Sequence, residues 1–244
     1  MRLREAARRW VSAIEHSHDV VGDAMNSHKK RLTCMTACLA MLGAPSAASG
    51  AVYELGQTEQ VGNPGCPDEP CLVLSRTTGY QARFGAQRAL FKVPTDGRIV
   101  AWAVRLGKPS ARDQAKLSKR FGGESSAGIT ILRLGPKRTA RVLRASPVRR
   151  LTPYLGTRVQ FPLVRSLKVR KGYVVALTVP TWAPVMHAGL DDTTSWTATR
   201  HPKRCANVTR QSAQLTSGTL TRFACSYGTV RLTYSATLVT SPTK

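Results

Sequence analysis

Strict alternation of apolar and polar residues in the segment TVRLTYSATLV, residues 229–239, is the strongest constraint on the fold of this chain. Side chains in a β-strand point alternately to the two faces of the sheet. The spacing therefore places five apolar residues on one face, with threonine, arginine and serine on the other: Val230, Leu232, Tyr234, Ala236 and Leu238. This pattern predicts a half-buried antiparallel strand.

A second segment, RIVAWAVRL, indicates a more central strand, because small apolar residues lie opposite the aligned Val100, Trp102, Val104 and Leu106. Further runs of strand length are rich in β-branched residues: GITILRL, ARVLRAS, RVQFPLV and YVVALTV. The turn residues of VPTDGR, 93–98, predict a tight hairpin that joins RALFKV to RIVAWAV.

One helix is predicted between two of these strands. Ser110 is a suitable N-cap, Asp113 follows three residues later, and the segment ARDQAKLSKRF then runs to Gly122 and Gly123, which end it. Because the helix interrupts a succession of strands, we expect it to lie on the surface.

About eight strands separated by turns within one domain are typical of all-β sandwiches. We therefore predict an all-β fold, a single antiparallel β-sandwich that is jelly-roll-like and has one short surface helix. The domain is expected to span residues 52–244, with its core at about 70–185 and a disulfide-tethered C-terminal segment.

The segment 25–51 has the three parts of a secretory signal peptide. HKKR, 28–31, is the basic region, LTCMTACLAMLGA is the apolar stretch, and PSAASGA supplies the small residues that precede a cleavage site. A membrane anchor needs about 20 apolar residues, and Pro45 ends this stretch too early, so no transmembrane segment is expected after cleavage. Lipidation at Cys38 is a weaker alternative, because Met35 stands where a branched aliphatic residue is usual. The predicted location is secreted, either extracellular or associated with the cell envelope.

Residues 1–24, MRLREAARRWVSAIEHSHDVVGDA, carry mixed charges and do not fit the basic region of a signal peptide. We interpret them as a non-native prefix from a misplaced start codon, with translation starting at Met25. A genuine cytoplasmic prefix is the alternative.

Two of the six cysteines fall within the predicted signal peptide. The remaining four form an even set, which in an oxidising compartment usually means disulfides. Among the possible pairings, proximity along the chain favours Cys66–Cys71 and Cys205–Cys225. Zinc and redox motifs are disfavoured, because four residues separate the cysteines of CPDEPC and the histidines lie far along the chain. We expect no metal and no cofactor.

The chain carries 37 Lys and Arg against 13 Asp and Glu, a formal net charge of +24. The basic residues are scattered singly, and an exported protein seldom meets nucleic acid, so we expect no nucleic-acid partner. Cell-wall polymers, glycans and phospholipid head groups are the abundant anions outside a cell. The charge therefore favours adhesion to an anionic cell-wall polymer or glycan, which salt should weaken by screening.

The segment 180–205 contains the candidate ligand-binding residues. It is predicted as one long polar connection that carries Trp182, Asp191, Asp192 and Trp196. Tryptophan faces flanked by carboxylates can bind a sugar, whereas one acid pair supplies too few of the roughly 6–8 oxygens that calcium needs. The simpler interpretation is that Trp182 covers an edge of the core and that the acids solubilise the loop.

No pattern of catalytic residues stands out in the sequence. GGESSAG lacks the spacing of a nucleophile elbow, and no phosphate-binding or zinc-protease motif is found. We therefore predict a secreted, non-catalytic β-sandwich protein that binds envelope or extracellular polysaccharide, with no catalytic residues. The alternative is a polysaccharide-acting hydrolase that uses Asp191 or Asp192 with a second carboxyl about 5–10 Å away.

Four segments together resemble a group of secreted, uncharacterised β-sandwich proteins from GC-rich soil bacteria: GRIVAWAVRLG, AGITILRLG, RVLRASPV and LKVRKGYVVALTVPTWAP. That group tends to share a Gly-x-Ile/Val-x-x-Trp strand and a later Val-x-x-Gly-Asp turn, where this chain has Tyr173 in place of Asp. The resemblance covers about residues 70–185 and consists of packing and turn residues. It implies a jelly-roll-like sandwich whose nearest architectural analogy is carbohydrate-binding-like, and it implies no reaction.

Overall fold

In the computed structural model, the residues from Gly50 onward belong to one compact unit. It describes residues 50–57, 62–67, 71–200, 202–206 and 211–241. The predicted prefix, 1–24, lies outside the described residues, and so does the predicted signal peptide, 25–51, apart from its last two residues.

About half of the described residues form antiparallel strands. In chain order these are β1 (Val52–Leu55), β2 (Leu74–Arg83), β3 (Gly97–Arg105), β4 (Ser126–Leu134), β5 (Thr139–Ala145), β6 (Arg149–Arg150), β7 (Arg158–Val169), β8 (Val174–Ala183), β9 (Met186–His187), β10 (Ser195–Ala198), β11 (Leu220–Arg222), β12 (Cys225–Gly228), β13 (Arg231–Leu232) and β14 (Tyr234–Thr240). The helices of this described part are α1 (Ala111–Phe121) and two 3-10 turns, Thr152–Tyr154 and Pro202–Arg204.

The strands form two main sheets that pack as a jelly roll. The smaller sheet has the order β1-β14-β3-β7, and the larger has the order β11-β5-β4-β8-β2-β10-β12, with β6 beside β4. Along the chain, β1 to β5, β7, β8 and β14 alternate between the two sheets, except at the β4–β5 hairpin. This is the two-sheet arrangement of a jelly roll, so the predicted all-β antiparallel sandwich is confirmed.

The core between the sheets consists of large apolar side chains with almost no exposed surface. Trp102 of β3 and Leu177 of β8 are fully buried. The Trp102 ring contacts Phe161 of β7, with 4.7 Å between ring centroids. Tyr234 of β14 stacks on Phe91 at 4.0 Å. Burial of each such side chain contributes roughly 1.5–3 kcal/mol to folding.

A β-bulge changes which residues of β3 face the core. Between two consecutive residues of β14, the partner in β3 jumps from Ala101 to Ile99. Val100 is therefore an extra residue in the ladder, and Ile99 takes the inward position with 0% exposure. The prediction that Val100 faces the core beside Trp102 is wrong, because strict alternation does not allow for a bulge.

The alternation at 229–239 is confirmed on its apolar face, where all five predicted residues are at most 8% exposed. The segment is divided into β13 and β14, and its polar face is also covered near the start. Arg231 and Thr233 are only 2% and 3% exposed. The prediction of a half-buried strand is therefore wrong at this end, where a second layer of chain lies over the polar side chains.

The predicted hairpin at 93–98 is also wrong, because RALFKV does not form a strand. An isolated bridge joins Lys92 to Val174, and the carbonyl of Phe91 accepts a hydrogen bond from the Val175 amide at 3.0 Å. Phe91 and Val93 are each 1% exposed. The apolar residues of this segment therefore enter the core from irregular backbone.

Helix α1 has the predicted caps. The Ser110 hydroxyl accepts a hydrogen bond from the Asp113 amide at 3.2 Å and donates one to its carboxylate at 2.6 Å. Gly122 ends the helix with a φ of 83°, a left-handed conformation that glycine adopts without a steric penalty. Phe121 is the buried residue of the helix, so the prediction of a short surface helix is confirmed.

Both predicted disulfides are present. Cys66 bonds Cys71 with 4.4 Å between their Cα atoms, and Cys205 bonds Cys225 with 5.5 Å between theirs. The second bond fastens the segment that follows β10 to strand β12.

The segment between β8 and β14 covers the face of the larger sheet that points away from the smaller sheet. Thr178 on this face lies 3.0 Å from Thr78 and 2.6 Å from Thr130, measured between hydroxyl oxygens. The Gln214 amide donates to Thr78 at 2.9 Å, and its carbonyl accepts from Thr130 at 3.2 Å. Because buried hydroxyls require partners, these bonds fix the covering segment against the sheet.

The larger sheet curls so that its two edges approach each other. Strand β11 lies at one edge beside β5, and β12 lies at the other beside β10. Only Phe223 and Ala224 separate these two strands along the chain. The curled sheet therefore has a concave side, which the segment between β8 and β14 partly fills.

Loss of the two disulfides should have unequal effects on stability. In the chain-entropy model, a loop of about 21 residues gives about 3 kcal/mol and a loop of about 6 residues gives about 2 kcal/mol. We expect the double variant C205S/C225S to lose more free energy of unfolding than C66S/C71S, as measured by urea denaturation. A larger loss for C66S/C71S would contradict this ranking.

Alkaline pH should act on the fold through Tyr234. Its hydroxyl donates to the Val175 carbonyl at 2.9 Å, and burial raises the pKa of the phenol well above its ordinary value of 10.0. The neutral form therefore stabilises the folded state below about pH 10, and this contribution is lost as pH rises towards the folded pKa. We expect Tyr234→Phe to be about 1 kcal/mol less stable than the native chain at pH 7.

The difference between Tyr234→Phe and the native chain should narrow above pH 10, as followed by urea denaturation over a pH series. The control is Tyr154→Phe, since Tyr154 is 38% exposed. Parallel loss of stability in the native chain and in Tyr234→Phe would contradict this assignment.

Candidate functional site

The two tryptophans predicted to bind a ligand are buried. Trp182 lies in β8, is 1% exposed, and donates from Nε1 to the Gly123 carbonyl at 3.0 Å. Trp196 lies in β10, is also 1% exposed, and stacks on Tyr227 at 4.4 Å. Neither ring presents a face to solvent, which is compatible with the simpler interpretation that Trp182 covers an edge of the core.

The two predicted acids lie at the surface. Asp191 accepts a hydrogen bond from the Thr193 amide at 3.1 Å, so its carboxylate caps its own turn. Asp192 is exposed. The segment 180–205 is also not one polar connection, because it contains β9, β10 and the end of β8. The described residues contain no group of three His, Cys, Asp or Glu side chains that could hold a metal ion.

Carboxylates in the described residues are few and mostly engaged in local contacts. Five of them cap turns or helices, bind hydroxyls or form ion pairs: Glu54, Asp96, Asp113, Glu124 and Asp191. The ion pairs of this described part are Lys116 with Asp113 and Arg150 with Glu124. Most of its basic side chains therefore form no ion pair with a described acid.

Two pairs of basic residues face one another across β3 and β7. Arg105 is directly opposite Arg158, and Arg98 is directly opposite Lys168. Side chains that are directly opposite in an antiparallel ladder lie on the same face, and like charges in this position repel. We call these four residues the basic face of the smaller sheet.

The Arg105–Arg158 pair borders a cavity of about 240 Å³ on the outer side of the smaller sheet. Small residues form part of its lining, namely Gly56, Ala103 and Ser235. The Ser235 hydroxyl donates to Glu54 at 2.5 Å, and Thr237 donates to the other oxygen of that carboxylate at 2.7 Å. Both oxygens of the Glu54 carboxylate are thus already bound by hydroxyls.

Arg231 adds a further positive charge at this cavity. Its Nη2 donates to the Gly56 carbonyl at 2.9 Å, and its guanidinium lies 4.4 Å from the centre of the Phe84 ring. Burial lowers the pKa of this group below the ordinary arginine value. These contacts hold the Arg231 side chain in place. Its charge therefore adds to the positive electrostatic potential at the cavity, and its guanidinium is not positioned to contact a ligand.

The side chains of Arg105 and Arg158 form no hydrogen bond or ion pair with a described residue. A guanidinium presents a planar set of donors that matches carboxylate and phosphate oxygens. Small-molecule sites usually measure about 300–1,000 Å³, so this smaller cavity suits a single anionic group. The arrangement is therefore chemically suited to an anion, with two arginine side chains that have no partner among the described residues.

Comparison with protein-family models, with curated proteins and with solved structures found no match to this chain. Within the part of the chain that the structure describes, no helix is both long and apolar enough to cross a membrane.

Sequence reasoning missed the basic face because it treated the basic residues as scattered singly. Arg105 and Arg158 come together only through the register of β3 with β7, which includes a bulge. The sequence offered one weak indication: Arg105 is the next-to-last residue of one predicted strand, and Arg158 is the first residue of another.

Proposed function

We propose that the protein is a non-catalytic module that attaches to anionic polymers of the cell envelope or the extracellular space through its basic face. The observation that carries this proposal is the opposed pair Arg105 and Arg158, which has no acidic partner among the described residues. An anion placed between the two guanidinium groups would replace their mutual repulsion with charge-assisted hydrogen bonds.

The rest of the basic face favours a polymer over a single small anion. The Arg98–Lys168 pair lies near the opposite end of the same ladder. At about 3.3 Å per residue, the two pairs are roughly 20 Å apart along the strands. An extended polyanion can meet both pairs at once, and linking two weak contacts increases the overall affinity.

The two disulfides are compatible with a protein that works in an oxidising compartment. This supports the choice of envelope or extracellular polymers as partners over anions inside the cell.

The alternative of a polysaccharide-acting hydrolase gains no support from the described residues. That chemistry needs two carboxyls about 5–10 Å apart across a cleft. Asp191 caps its own turn, and neither it nor Asp192 borders the cavity beside the basic face.

The double variant R105Q/R158Q should bind polyphosphate and purified cell wall about tenfold more weakly than the native chain at low salt. Its matched control is R133Q/R141Q, which removes an opposed arginine pair from the larger sheet and lowers the net charge equally. Retention should be measured at about 0.05 M and about 0.5 M salt, because screening weakens exposed charge interactions.

An equal loss of binding in both double variants would show that net charge alone is responsible and would overturn the role of the basic face. The proposal would also fail if the native chain bound neither polymer at low salt, or if it bound duplex DNA more tightly than either polymer.

A further inference from the structure

The concave side of the larger sheet contains a second, larger cavity. This groove measures about 370 Å³, which lies within the range of about 300–1,000 Å³ that is usual for small-molecule sites. It lies between the turn that joins β4 to β5 and the strands β2, β10 and β12. The lining residues used below are Tyr80, Arg83, Arg138, Thr139, Thr197 and Phe223.

Aromatic and hydroxyl groups meet in this groove. Tyr80 is partly buried and packs on Phe223, with ring centroids 5.4 Å apart. Phe223 itself is only 2% exposed, so it supports the Tyr80 ring from behind. The Tyr80 hydroxyl forms no hydrogen bond with a described residue. An aromatic ring with a hydroxyl at its edge can contact both the apolar face and the hydroxyls of a sugar.

Two arginines add positive charge to the groove. Arg83 reaches only the Asp192 carbonyl, at 3.5 Å, and no carboxylate lines the groove. Burial raises the pKa of the Tyr80 phenol, and the charge of Arg138 partly offsets this by lowering it. Arg138 and Tyr80 both line this groove, so a single ligand can contact both side chains.

The turn that carries Arg138 has an unusual backbone for its sequence. Lys137 and Arg138 have φ values of 52° and 59°, and the Thr139 amide donates to the Pro136 carbonyl at 3.0 Å. A turn with two successive positive φ angles strongly favours Asn and Gly, and non-glycine residues in this conformation cost of order 1–3 kcal/mol each. Such a cost is typically found where the side chain has a function.

We propose that this groove binds one acidic sugar unit, a hexuronic acid, whose ring packs on Tyr80 and whose carboxylate pairs with Arg138. The guanidinium favours the carboxylate over a neutral sugar. The aromatic ring favours a sugar over a simple anion, because an inorganic ion has no apolar face to pack on it. The groove lies on the other sheet from the basic face, and this proposal relies on the proposed function only in placing the sugar within an extracellular polymer.

Two adjacent glycine substitutions test the assignment. Arg138→Gly and Lys137→Gly remove the same charge and relieve the same kind of backbone strain, but only Arg138 lines the groove. Both variants should therefore raise the thermal unfolding midpoint, by roughly 2–4 °C. Only Arg138→Gly should weaken the binding of trigalacturonate, by about tenfold or more, as measured by isothermal titration calorimetry on the full chain.

Further binding measurements define which ligand the groove prefers. Tyr80→Phe should weaken trigalacturonate binding by about threefold to tenfold if the hydroxyl contacts the sugar. Cellotriose, which is neutral, should bind more weakly than trigalacturonate, and inorganic phosphate should not compete with it. R105Q/R158Q should weaken trigalacturonate binding less than Arg138→Gly does, which separates this groove from the basic face.

The proposal is overturned by any of three results. In the first, Arg138→Gly and Lys137→Gly bind trigalacturonate equally. In the second, cellotriose binds as tightly as trigalacturonate. In the third, phosphate displaces trigalacturonate at equal concentration. Binding of trigalacturonate that is lost in R105Q/R158Q and kept in Arg138→Gly also overturns it, because the sugar would then bind at the basic face.

Discussion

Hydrogen bonding on the concave side of the larger sheet determines much of this structure. Thr78, Thr130 and Thr178 are fully buried there, and buried hydroxyls without partners would be costly. Backbone groups of Gln214 satisfy two of them, which holds the segment between β8 and β14 across the sheet. That segment supplies β11 and β12, so its position sets the two edges of the curled sheet and the groove between them. Apolar packing alone would not require this register, because it is far less directional than hydrogen bonding.

Local patterns predicted those parts of the fold that depend on neighbouring residues. The alternation at 229–239 identified the inward face of the last strand, and the Ser110 cap and Gly122 identified both ends of α1. Patterns failed where distant contacts decided the outcome. Val100 is displaced by a bulge that only its partner strands reveal. RALFKV has the composition of a strand, yet Phe91 reaches the core from irregular backbone because Tyr234 provides a stacking surface.

The candidate sites were harder to predict than the fold. Trp182 and Trp196 were placed in a polar loop, but each lies in a strand whose neighbours bury the ring. The Arg105–Arg158 pair depends on strand register, and the groove beside Tyr80 depends on how strongly the larger sheet curls. Neither register nor curvature is encoded in a short stretch of sequence. The excess of basic over acidic residues was visible in the sequence, but not which basic side chains the fold brings together.

The strand order of the smaller sheet has a consequence for the timing of folding. Strand β14 lies between β1 and β3, so β1 pairs only with a strand from the far end of the described domain. Closing such a long loop is slow, because its entropy is lost before the contacts are gained. During synthesis, β1 must therefore wait unpaired until β14 emerges. The cavity beside Arg105 and Arg158 is then completed last, because β14 supplies Tyr234 and Ser235 to its lining.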